Sequence, residues 1–242
     1  NAATALVLLP FLCAGNTQRE GEYRRHVMLG VEYLKRRRLV LPEGWGITLH
    51  EADSRAMPSH ALATILFCEL CDVSRDKSTR EIALGLVQFI VASQNADGGW
   101  GTTPPLPGYE PDPSNLHSTG WNVLALRSAQ WVGLPVPPRC MSRVEGFLDA
   151  MAGADGSEYR RAANESATDP YATAMGFLCR AYTGWGRDRK PLADYVAGLE
   201  AGGPQTGKFY WNFLAAQLAR DFGGSVWDRW NPALRGELLT AQ

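Results

Sequence analysis

Apolar and polar positions along this chain fall into two alternating kinds of segment. Residues 2–14, 58–72, 117–131, 170–183 and 208–220 are apolar nearly all round, the pattern of a helix with neighbours on every side. Between them lie segments with a single apolar stripe. In 22–38 the stripe is Tyr23, Val27, Val31 and Leu34, with Arg24, Arg25 and Lys35 turned outward. Ile82, Leu86, Phe89 and Ile90 form the next stripe. Met141, Val144, Leu148 and Met151 follow in 141–152, and Leu192, Tyr195, Val196 and Leu199 in 190–200. Trp227, Trp230, Leu234 and Leu238 form the last, in 226–240. The three-to-four-residue spacing predicts an all-α chain of about ten helices, paired as five hairpins in two layers. No stretch alternates apolar and polar residues long enough to argue a strand, so no sheet is expected.

The connections are asymmetric. Turns after the all-apolar helices are short, as at Gly15-Asn16 and Val73-Ser74-Arg75. The returning loops 41–57, 97–115 and 153–169 are long and rich in Gly and Pro. In alternating hairpins all loops of one kind fall at one end, so any ligand site is expected at the mouth formed by the long loops.

Residues 84–101, LGLVQFIVASQNADGGWG, carry the sharpest local pattern: an aromatic–aliphatic pair, then a glutamine, then a Gly-rich turn ending in Trp. Gln94 is placed to bond main-chain groups where its helix ends, Gly98 to turn the chain, and Trp100 to pack on the next helix start. Degraded copies recur. Tyr33-Leu34 leads to Gly44-Trp45-Gly46; Phe147-Leu148 to Ala152 and Gly156, with Glu158 at the tryptophan place; Tyr195-Val196 to Glu200 and Gly202-Gly203. The aromatic positions are 56, 58 and 48 residues apart, one hairpin per unit. A fifth copy would put Glu237, Leu238 and Gln242 in register, so the chain reads as a piece of a longer repeat protein.

The stretch resembles the QW motif of the terpene cyclase and protein prenyltransferase superfamily. NAATALVLLPFLCAGNT, PSHALATILFCEL, STGWNVLALRSAQWVGL, ATAMGFLCRAYTGW and FYWNFLAAQLARDFGGSVWDRWNPALR are similar to the prenyltransferase/squalene-oxidase-repeat proteins of bacteria. The resemblance implies an α/α toroid: one domain over residues 1–242, about five hairpins in two concentric layers, forming an incomplete ring. It also implies a cavity lined by aromatic side chains, for which Trp121, Tyr171 and Trp211 are the candidates, with an apolar, isoprenoid-like ligand.

The chemistry such proteins carry is harder to find. The D-x-D-D acid of triterpene cyclases has no match; the nearest acids are Asp112, in EPDPSN, and Asp169, which reads as a helix N-cap ahead of Pro170. His60 and His117 begin corresponding helices and form a candidate proton-transfer or ligand pair across the mouth; bonding to nearby loop carbonyls is the plainer account. Cys68 and Cys71 lack a second ligand pair, so no metal and no cofactor is expected.

Composition narrows the partners. Over 242 residues, 45% hydrophobic content is ordinary for a globular protein, and a net charge of −1 gives no reason to expect nucleic acid or an anionic membrane. Five cysteines at irregular spacing read as reduced, which favours a reducing, soluble compartment. Residues 2–14 are too short to span a bilayer, and the basic set Arg24, Arg25, His26, Lys35, Arg36, Arg37 and Arg38 reads as a solvated outer face. The expectation is therefore a toroid domain that binds an apolar small molecule or a protein partner without catalysis. An isoprenoid cyclase or prenyl-transferring enzyme using Asp112 or residues outside this chain is the alternative, and a carbohydrate-active toroid a third.

Overall fold

The computed structural model describes residues 1–42, 44, 46–49, 56–74, 76–105 and 112–241. Trp45, Arg75, Gln242 and parts of the loops 41–57 and 97–115 lie outside them. The chain is all-α. Its helices are α1 (Ala2–Cys13), α2 (Arg24–Arg36), α3 (Ala56–Ser74), α4 (Lys77–Ala92), α5 (Leu116–Trp131), α6 (Pro138–Met151), α7 (Pro170–Thr183), α8 (Lys190–Gly202), α9 (Phe209–Phe222) and α10 (Gly224–Thr240).

Three helix starts, those of α4, α5 and α7, are set by side chains that accept first-turn amides. Asp76 accepts from Thr79 N, Asn115 from Ser118 N, and Asp169 from Ala172 N, with Pro170 opening α7. Gly184, at φ 118°, closes α7 in the left-handed region.

The chain divides into two compact units, Asn1–Arg143 and Val144–Gln242. In the first, α3 packs between α1 and α5, while α2 lies on α1 and α4 on α3 and α5. In the second, α7 packs on α9, and α8, α9 and α10 pack on one another. Each unit therefore sets all-apolar helices side by side and lays one-sided helices against them. The burial follows: α5 is buried around most of its circumference, α2 only at Val27, Val31 and Leu34, and α8 only at Leu192, Val196 and Leu199.

Three sequence expectations need correction. A short antiparallel sheet is present: β1 (Arg38–Val40) pairs with β2 (Ile47–Leu49), Leu39 opposite Thr48. Three-residue strands are too short for alternation to register in sequence. The hairpin seats on α4 through two glycines: a Cβ on Gly46 would lie 2.3 Å from Gly85 O, and one on Gly85 would strike the Ile47 side chain. Second, α1 buries only Ala5, Leu8 and Leu12, because α2 and α3 cover one side; Leu6 and Val7 are exposed. Third, Tyr23 precedes α2 and is exposed, tilted against Phe11 at 5.2 Å.

The second unit is tightest where α7 passes Tyr159. A Cβ on Gly176 would lie 2.5 Å from the Tyr159 ring, which is fully buried and packed edge-on against Phe177. Gly176→Ala should therefore cost about 1–3 kcal/mol in chemical denaturation. Gly146→Ala on α6, where a Cβ meets nothing within 4 Å, should be neutral or stabilising by about 0.5–1 kcal/mol. Equal effects of the two would refute the close approach.

Candidate functional site

The loop after α4 is held by its own polar side chains. Gln94 Nε2 donates to Gly98 O at 2.8 Å and to Cys140 O of α6 at 3.0 Å. Arg143 closes the set by donating to Gln94 Oε1, Asn95 O and Ala96 O. Gly98 has φ 90°, and a Cβ there would collide with Arg143 O at 2.1 Å, so no other residue fits. Trp100 is fully buried; its indole donates to Ile90 O of α4 at 2.8 Å, and its main-chain amide to Thr119 Oγ1 of α5 at 3.0 Å. Asp112 belongs to the same construction. Its carboxylate accepts Thr103 N at 3.0 Å, and its carbonyl accepts from Asn95 Nδ2 at 2.9 Å. Asp97 accepts Gly99 N and the Ser114 hydroxyl. The acid singled out in sequence is a loop clamp.

The second unit repeats the lock. Tyr159 N donates to Thr173 Oγ1 at 3.0 Å, and Asp169 N to Tyr159 O, matching Trp100 N to Thr119 and Asn115 N to Trp100 O. Tyr159, and not Glu158, stands at the tryptophan place, because one extra residue lies between Gly156 and the aromatic. A third lock uses Asn212 Oδ1, which accepts Gln205 N at 2.8 Å while its amide returns a bond to Gln205 O. Thr119, Thr173 and Asn212 each stand four residues after the helix N-cap. Sequence reading missed all three, although that common offset was available. It also missed Arg180, buried and bonded to Tyr159 Oη at 3.0 Å and Asp149 Oδ1 at 2.5 Å, with its guanidinium 4.6 Å from the Trp185 ring.

The other candidates are dispersed. His60 does not face His117 across a mouth: it is buried against α4, its ring 4.7 Å from Phe89 and its Nε2 donating to Leu86 O at 3.0 Å. That bond fixes the neutral tautomer and leaves Nδ1 buried without a partner. Burial, partly opposed by the Leu86 bond, lowers the His60 pKa from 6.5 to about 4. His117 is exposed as a residue, yet partial shielding of its imidazole lowers its pKa as well. Trp121 is buried in the first unit. In the second, Trp211 packs on Trp230 at 5.9 Å, and Tyr171 stacks on Tyr210 at 6.1 Å near the surface. Burial pushes the Cys71 and Cys140 thiols up to about 11 and Cys179 to about 12, so none is poised as a nucleophile. Among the described residues no three His, Cys, Asp or Glu gather as metal ligands.

A cavity of about 480 Å³ lies instead on the outer flank of α4, within the first unit. Leu84, Val87, Gln88 and Val91 line it from α4; Pro135, Val136 and Pro137, between α5 and α6, and Pro138, the first residue of α6, line it from another side, and Gly44 completes the described lining. The volume is typical of small-molecule sites. Among the described residues its lining is aliphatic, with the Gln88 amide as the one side-chain polar group and no cation or carboxylate. The sequence signals were Leu84 and Val91 on the outward side of a one-sided helix, and the GLPVPP run at 133–138.

No protein-family model, curated protein or solved structure matches this chain.

Two outcomes follow from this geometry. Gln94→Ala leaves Gly98 O and Cys140 O without that donor and should cost about 1–3 kcal/mol; an unchanged unfolding midpoint would refute the bridge. For His60 the folded pKa lies below the unfolded one, so its stabilising contribution is complete above pH 6.5. It is lost as pH falls from 6.5 towards about 4, by up to roughly 3 kcal/mol. Denaturation curves at stepped pH measure this, and His60→Gln should flatten the dependence in that window.

Proposed function

We propose that this chain is a non-catalytic binding domain of α/α-toroid type that holds a neutral, isoprenoid-like apolar molecule in the groove on α4. The observation that carries the reading is the lining. Leu84, Val87, Val91 and the proline-rich wall offer aliphatic contact, and Gln88 offers one amide. A single amide suits a hydroxyl or carbonyl head. A diphosphate needs cations or a metal, and the described residues of the groove wall include no cation. The side-by-side α1, α3 and α5 with α2 and α4 laid against them, and the pairing of α7 with α9, support the toroid class. The binding reading is preferred to catalysis because Asp112 is engaged with Thr103 N and His60 is turned into α4.

Titration calorimetry with a C20 prenyl alcohol and the corresponding diphosphate tests the reading. The alcohol should bind, and the diphosphate about ten-fold more weakly or less. Leu84→Gln with Val91→Gln, at two half-buried positions, should weaken the alcohol by about ten-fold or more while the thermal melt holds. Alcohol binding that survives the double substitution would move the ligand elsewhere. Turnover of the diphosphate would replace the binding reading with an enzymatic one.

A further inference from the structure

We propose that α2 and the β1 strand that follows it form a docking surface for an anionic lipid bilayer. The outward side of α2 is not the solvated polar face its sequence promises. Leu29 is 55% and Tyr33 45% exposed, and on β1 Val40 is 77% exposed. Leu29 and Tyr33 sit one helical turn apart, with Arg25 and Arg36 on the same side of the helix, and both arginines are exposed. Arg38 opens β1, all three of whose residues are exposed.

Charge selects the partner. Residues 24–38 contain six Lys or Arg and one carboxylate, Glu32, while the whole chain nets −1. The remainder is therefore net acidic, and attraction to an anionic surface is concentrated on α2 and the start of β1. Glu32 is matched by Lys35 at 3.3 Å, and the Arg37 guanidinium lies 5.5 Å from the Tyr33 ring centroid. Aliphatic and aromatic tips interspersed with guanidinium groups give the two signals that reversible interfacial binding requires: shallow apolar insertion and attraction to acidic headgroups. The inserted groups are scattered among the cations, an arrangement suited to a fluid headgroup boundary more than to the fixed relief of a folded acidic partner. Among the described residues no helix is long and apolar enough to cross a membrane, so α2 would lie in the plane of the interface.

Co-sedimentation of the full chain with phosphatidylcholine vesicles, with and without roughly one-third phosphatidylserine, tests this at moderate salt. Binding is expected only to the anionic vesicles and should fall as salt rises. Arg25→Gln, Arg36→Gln and Arg38→Gln together should weaken it about a hundred-fold, at roughly five-fold per cation. Leu29→Ser with Val40→Ser should weaken it about ten-fold. All five positions are exposed, so the helical spectrum and thermal melt should match wild type in both variants. Failure to bind phosphatidylserine vesicles would overturn the proposal, as would equal binding to neutral ones. A Leu29/Val40 variant that binds like wild type would reduce the surface to plain electrostatic adsorption, also against it. Retention on a poly-glutamate peptide without vesicle binding would assign the face to an acidic protein instead.

Discussion

Long loops between packed helices must bring main-chain amides against a largely apolar interior, where an unmatched donor costs on the order of 1–3 kcal/mol. This chain meets that demand the same way three times. A side chain one turn inside the next helix, Thr119, Thr173 or Asn212, accepts the amide of a preceding loop residue: the buried Trp100 and Tyr159, and Gln205, which is exposed. In the first two cases the helix N-cap amide, from Asn115 or Asp169, returns a bond to the same loop residue. The aromatic ring is thereby fixed at the helix start, and the rest of the loop is spaced from it. Gln94 and Arg143 then tie the loop to α6, and Arg180 holds Tyr159 from the other side.

That construction explains why the described part of the loop after α4 is poor in free chemistry. Asp97, Asp112 and Ser114 are the polar groups one would recruit for catalysis, and each is bonded within the loop. His60, buried and neutral, belongs to the packing of α3 on α4. Space for a ligand arises instead where layers are imperfectly covered. The β-hairpin approaches α4 at Gly46 and Gly85, the proline-rich connection stands off on the other side, and a groove lies between them over Leu84 and Val91. Leu29, Tyr33 and Val40 are left outside every layer, beside the densest run of cations in the chain.

Periodicity by itself determined the all-α class and the number of helices, and it marked the all-round burial of α5 and the one-sided burial of α2 and α8, because such burial leaves its imprint in a single helix. The same local logic made Asp169 readable as a cap, since its partner Ala172 is three residues away. Tertiary structure decided whatever depends on distant residues. The one-residue shift that puts Tyr159 in place of Glu158 appears only when Thr173 is seen to accept its amide. The direction of His60 was set by Leu86 and Phe89, 26 and 29 residues on. The exposure of Leu6 and Val7 reflects which side of α1 its neighbours cover, and an apolar run alone cannot encode that. The groove joins three segments separated by roughly 40 residues each, and no local pattern records a space that exists only between them.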